Sequence, residues 1–528
     1  MGLNLSNEQI AQELDLDPDD AQRMTTLLRE GFIQRTPEVE SQRRGRGHPP
    51  SHLAAPPGGV LPVGERRRVR AHQSRGVPGR GPRREHPEGG GELRLTVFQS
   101  AKGDCLLLTS RNDARRILVD GGMRSSYRTF VAPALGRLAE DGARLDLVYV
   151  SHIDQDHIAG VLQLMDDTAA WKVHDFQLEN ENPGHPEPGA SRPPEVKEVW
   201  HNAFHEQVGD NAGAIGDLLA ATAAILSGAE ADDLREVAEA HREIATSIPE
   251  AIRLSRRLGG TQLGIALNKR FDGKLAFVRE QDAPTPIKMG PLRLSVIGPF
   301  EEDLDRLRKD WNKWLKANKE ALEKIRAKAR EDAERMGSTD VATLIGLPVA
   351  QAQGLGDRKR VTAPNLASLM LLVSEGGKTV LLTGDGHATD ILKGLAYHEK
   401  LDADGRIHVD VLKVQHHGSE HNLDEAFASK VTADHYLFCG NGEHENPDLR
   451  VVEAVIDSRL GPTTATHPGA AGPFKLWFNS SETAAANPAA NEHMRRVREL
   501  VGERAAASGG RLTFEFLEGD TPSFEITV

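Results

Sequence analysis

The chain has 528 residues, a formal net charge of -13 and two cysteines, Cys105 and Cys439. Such a length exceeds one ordinary core, so several structural units, or one α/β domain with insertions, are expected. Two cysteines exclude a disulfide framework and a thiolate zinc cluster, the acidic balance argues against nonspecific adhesion to nucleic acid, and no stretch approaches the roughly 20 apolar residues of a membrane span; a soluble, cytoplasmic protein is expected.

Residues 5–33 set Leu5, Ile10, Leu14, Leu16, Met24, Leu27, Leu28 and Phe32 at helical spacing, with Ser6 as a cap and Gly31 as a stop, which predicts a short helical hairpin over residues 1–40. Residues 41–91 turn to Arg, Gly, Pro and His and carry few large apolar side chains. Burial there cannot offset the entropy of ordering, so a disordered linker is expected. We read residues 1–91 as a fusion scar in preference to an arginine-rich nucleic-acid tail.

Beyond residue 91, Leu93, Leu95 and Val97 alternate as a strand, Cys105–Leu108 form a second, and Arg116–Val119 a third that runs into Asp120-Gly121-Gly122. A helix around Tyr127–Glu140 leads to the apolar residues Leu145, Leu147, Val148, Tyr149 and Val150, which are followed by Ser-His-Ile-Asp-Gln-Asp-His-Ile-Ala-Gly over residues 151–160. His152, Asp154, Asp156 and His157 at a strand end supply neutral nitrogen and anionic oxygen at the density that one or two divalent cations require. Helical insertions are expected over about 206–284 and 301–360, with one core strand, Leu292 to Val296, between them.

Leu369–Val373 and Thr379–Leu382, joined by Glu-Gly-Gly-Lys, predict a hairpin that ends in Thr383-Gly384-Asp385-Gly386. A helix over Ala388–His398 follows, then the strand Val409–Val414, which ends in Gln415-His416-His417-Gly418-Ser419. Strands alternating with helices, each delivering ligand-type residues at its end, predict an α/β sandwich with its site along one edge. Residues 471–528 are expected to be a C-terminal α/β extension.

The ordered motifs Asp-Gly-Gly, His-x-Asp-x-Asp-His, Leu-Leu-Thr-Gly-Asp and Leu-Lys-Val-x-His-His-Gly-Ser resemble the metallo-β-lactamase superfamily, and more narrowly the hydrolase domain of the ComEC competence proteins, over residues 92–205 and 285–447. Asn365 and Ser368 also sit where that group has an Asn-x-x-Ser strand. Residues 1–35 resemble the N-terminal helix-turn-helix of insertion-sequence transposases. The first resemblance implies an αββα sandwich over residues 92–470. It implies His152 and Asp154 at one metal position, Asp156 and His157 at the other, Asp385 bridging, and one histidine of the pair His416–His417 completing the second. Asp120 is implied to steady the motif loop from beneath.

The chain departs from the superfamily pattern twice. Asp154 stands where a histidine is usual, and the strand end expected to carry the intermediate histidine reads Val-Ile-Gly-Pro. The first metal position is therefore expected to be the weaker, with His201 or His205 as structural or surface histidines that could substitute. Carboxylate in place of imidazole shifts preference from zinc toward manganese. The expected activity is metal-dependent hydrolysis, foremost of a phosphodiester or nucleic acid, through a metal-activated hydroxide with Asp154, Asp156 and Asp385 in catalytic roles. Lactone or acyl hydrolysis, and a non-catalytic metal-binding interaction module, are the alternatives. His201, His421 and His444 are candidates for substrate contact.

Overall fold

The computed structural model describes residues 92–180, 182–202, 250–305 apart from 252, 256, 261 and 303, and 368–528 apart from 485 and 486. The expected N-terminal hairpin, the linker, Asn365, His205 and most of both insertions lie outside the described residues.

Three short strands open the fold: β1 (Arg94–Phe98), β2 (Leu106–Thr109) and β3 (Arg116–Val119). One turn at Arg124–Ser126 and a π-helical turn at Tyr127–Val131 lead into α1 (Ala132–Glu140), followed by β4 (Arg144–Leu145), β5 (Leu147–Tyr149) and the 25-residue α2 (Gln155–Glu179). Next come β6 (Glu195–Val196), β7 (Glu198–Trp200), β8 (Ala266–Leu267), β9 (Ile287–Met289) and β10 (Leu292–Gly298). The hairpin β11 (Met370–Glu375) and β12 (Lys378–Leu382) precedes α3 (Ala388–Tyr397) and β13 (Ile407–Lys413). After it run α4 (Glu425–Lys430), β14 (Val431–Phe438), α5 (Leu449–Leu460), β15 (Phe474–Phe478), α6 (Pro488–Ala507), β16 (Leu512–Phe516) and β17 (Ser523–Thr527).

These strands form a seven-stranded sheet, in the order β17-β1-β2-β3-β5-β7-β8, an eight-stranded sheet, in the order β16-β15-β14-β13-β12-β11-β10-β9, and a two-stranded parallel pair, β4-β6. Their short apolar runs are buried on both faces because alternate side chains serve different layers. Leu106 and Leu108 join Leu371, Val373, Val380 and Leu382 between the sheets, whereas Leu107, Leu118 and Val148 turn outward onto Leu135 of α1 and Ile158, Leu162 and Met165 of α2. On the far side, Leu372, Leu381 and Leu412 pack against Ile391, Phe427, Val455 and Val497. The result is the αββα sandwich with helices on both outer faces.

Two features depart from the expected organisation. Ala266–Leu267, inside the segment expected to be a helical insertion, pair in parallel with β7 and extend the first sheet. Residues 471–528 enter both sheets: β15 and β16 continue the parallel run of the second, while β17 pairs antiparallel with β1. Sequence spacing could not show this, since an edge strand is recognised by its distant partner and not by its own pattern. Among the described residues, no helix is long and apolar enough to cross a membrane.

Candidate metal centre

Parallel neighbours bring the motif-bearing strand ends together. In the first sheet β3, β5 and β7 are parallel, and in the second β12, β13 and β14 are. The two sheets are joined at this edge, where Leu369 N–H donates to Ser151 O at 2.8 Å and the Tyr149 hydroxyl donates to Leu369 O. Asp154 occupies the residue before α2, so Asp156 and His157 fall in the first helical turn, where exposed backbone N–H groups favour an anion. Gly160 makes the close seating of α2 possible: a Cβ there would stand 2.0 Å from Gly121 O.

Asp120 anchors this loop from a left-handed backbone (φ 55), a conformation uncommon for a residue with a side chain. Its buried carboxylate accepts Ser151 N–H at 2.7 Å, Ser151 Oγ–H at 2.7 Å and the His157 Nδ1 contact at 3.0 Å. With Nδ1 engaged in this way, His157 turns Nε2 toward Asp385 Oδ1 at 3.5 Å and Asp156 Oδ2 at 3.8 Å, and although burial opposes its charge, Asp385, Asp156, Asp104 and Asp120 hold the imidazole well above its usual pKa. His152 Nε2 lies 3.4 Å from Asp154 Oδ2 and 3.5 Å from Asp385 Oδ2. His417 Nε2 lies 3.0 Å from Asp156 Oδ2 and 3.5 Å from Asp385 Oδ2.

The two histidines of the pair differ in setting although both have left-handed backbones, φ 46 and φ 55. His417 is buried, and its Nδ1 meets Cys439 O at 2.7 Å. His416 is partly open, with Nδ1 2.6 Å from Asn422 Oδ1 and Nε2 3.8 Å from Asp385 Oδ2. Asn422 also donates to Asp385 O at 2.8 Å, tying the loop after β13 to the one after β12.

Charge is concentrated here. Burial works against ionised Asp385, but His417, His157, His152 and His416 together hold its carboxyl well below the usual range. Burial likewise opposes charge on His417, yet Asp385, Asp104 and Asp156 lift it to about 10. Burial instead prevails at His416, which is pushed down. His152 Nε2, His157 Nε2, Asp154 Oδ1 and Asp385 Oδ1 are buried and have no hydrogen-bond partner, the contacts above being ion-pair distances without hydrogen-bond geometry. Orphaned imidazole nitrogens and carboxylate oxygens converging on one cleft fit a divalent cation. His152, His157 and Asp385 set their ligand atoms within 4.8 Å of one another, and so do Asp104, His157 and His417.

His152, Asp154, Asp156, His157, Asp385, His416 and His417 are thus brought together. His421 and His444 are exposed on the loops after β13 and β14, outside both groups. His201, expected to be structural or at the surface, is fully buried and directly follows β7, the parallel neighbour of β5. Its backbone is held by Asn268, which accepts its N–H at 2.9 Å and donates to its O at 2.8 Å. Sequence reasoning missed Asp104, Ser151 and Lys413. The available signal was a charge inside a buried apolar strand, Val-Leu-Lys-Val, and an acid at the mouth of another, Gly-Asp-Cys-Leu.

The family model described as the metallo-beta-lactamase superfamily matches residues 102–221. The match spans Asp104, Asp120, the His152–His157 motif and His201, and with the sandwich fold it supports placement in that superfamily, whose members are in general metal-dependent hydrolases. No curated protein matches the chain.

Proposed function

We propose that the protein hydrolyses phosphodiesters, with a nucleic acid or nucleotide as substrate, at a centre of one or two divalent ions. The observation that carries this reading is the oxygen-rich donor set, in which Asp154, Asp156 and Asp385 share one cleft with four imidazoles. Hard oxygen donors suit manganese, or zinc in a mixed nitrogen and oxygen set. On this reading His152, Asp154 and Asp385 hold one position and Asp156, His157, Asp385 and His417 the other, with His416 at the open rim. Bound ions would supply Lewis acidity and lower the pKa of water toward neutrality. Asp120 and Ser151 keep the motif loop in register, and Asp154 or Asp385 would return a proton to a leaving oxygen. The ComEC-like motif order supports the same substrate class.

The test is cleavage of bis-(p-nitrophenyl) phosphate and of labelled single-stranded DNA by the full chain loaded with manganese or zinc. Hydrolysis that disappears in Asp156→Ala and His157→Ala is expected. Lactone cleavage without phosphodiesterase activity, or tight metal uptake with neither activity, would refute it.

A further inference from the structure

Beneath the centre lies a cation that belongs to the chain itself. Lys413 ends β13 inside the sandwich, and its Nζ stands 2.5 Å from Asp104 Oδ2, 3.1 Å from Gly384 O and 3.7 Å from Asp385 Oδ1. Both Lys413 and Asp104 have side chains only 1% exposed, so this ion pair has left water completely. Stability does not explain such a pair, because replacing a buried ion pair with apolar groups is often neutral or favourable. Its neighbours offer an explanation. Asp104 Oδ1 is 3.4 Å from His417 Nδ1 and Asp104 Oδ2 is 3.8 Å from His157 Nδ1, on the ring edges opposite the Nε2 atoms that face Asp156 and Asp385.

Asp104, His157 and His417 by themselves form one of the two groups able to hold an ion. Within that group the Asp104 carboxylate is already paired with the lysine ammonium. Asp104 is joined to the metal loop as well: its N–H donates to Asp156 O at 3.3 Å, and a Cβ at Gly103 would stand 1.8 Å from the same oxygen.

We propose that Lys413 is a positioning residue, a resident cation that holds the Asp104 carboxylate behind His157 and His417, whose Nδ1 atoms bond Asp120 and Cys439 O, so that its charge backs both imidazoles as they present Nε2 to the metal side. This rests on the metal-centre reading above. The lysine touches no substrate and acts through the two histidines and through Asp385.

Cobalt titration of the full chain, followed by its visible d–d bands, tests it. Lys413→Met is expected to bind cobalt 10- to 100-fold more weakly with shifted bands, the usual consequence of losing support behind a ligating histidine. A lysine that merely filled space would give the opposite sign, since deleting a positive charge beside the centre favours a cation; equal or tighter binding with unchanged bands overturns the proposal. Should Lys413→Met fail to fold, the neutral pair Asp104→Asn with Lys413→Gln keeps most of the volume and a hydrogen-bonding pair while it removes both charges. It is expected to fold and to show the same weakening and band shift, and wild-type affinity in that variant overturns the proposal equally. A wild type that takes up no cobalt overturns the metal-centre reading, and the proposal with it.

Discussion

Replacing Asp120 by Asn changes one atom and almost no volume, yet it acts on the tautomer of His157. Ser151 N–H, 2.7 Å from Asp120 Oδ1, requires an oxygen there, so the amide nitrogen of Asn must take the Oδ2 side, which faces Ser151 Oγ and His157 Nδ1. Ser151 can turn its hydroxyl to accept. His157 has no such freedom: with a donor opposite Nδ1 it must present a lone pair there and carry its proton on Nε2, the nitrogen directed at Asp385 and Asp156. The lost charge-assisted bond is worth about 1.5–3 kcal/mol, which corresponds to roughly 10- to 150-fold in affinity at 1.4 kcal/mol per decade. Competition for manganese or zinc against a chromophoric chelator should show that loss in Asp120→Asn, with a smaller thermal shift on adding metal. Wild-type affinity in a well-folded Asp120→Asn protein would refute the tautomer argument.

The unequal burial of the paired histidines predicts that His417→Ala weakens metal binding at least about tenfold more than His416→Ala by the same assay, because losing one ligand of a site outweighs losing a rim contact; the reverse order would exchange their roles. Gly160→Ala should destabilise the fold by about 1–3 kcal/mol or more, read as a lower denaturation midpoint, since its new Cβ would meet backbone at Gly121 O, which cannot rotate away. Burial raises Glu250 from 4.5 to about 7 despite Arg124 Nη2 at 3.1 Å, so the folded state holds a proton that the unfolded state releases. That contribution is complete below pH 4.5 and is lost as pH rises through about 7, on the order of 3 kcal/mol in all by linkage. Glu250→Gln should flatten the pH–stability curve between those limits, and an unchanged slope would count against the reading.

The strands were legible where a short apolar run ended in a glycine or acidic turn, as at Val119-Asp120 and Leu382-Thr383, because both period and boundary are local signals. The helix α2 was not. Its N-terminal turn is composed of ligand-type residues, and its far end exposes Val173, Phe176 and Leu178, which blurs the apolar stripe that would announce a helix. Ala266–Leu267 were hidden for another reason: a two-residue edge strand has no pattern and exists only through its pairing with β7.

By itself the sequence determined which strand ends carry nitrogen and oxygen donors and in what order, since those residues are neighbours along the chain. The tertiary structure alone decided how they meet. It separated His417 from His416 by burial, set His201 beside the strand of the metal motif, and joined Asp104 to Lys413 across more than 300 residues of chain. The physical reason is that a ligand's identity is local, whereas its orientation and charge state depend on partners that only the packing of two sheets brings within a few ångströms.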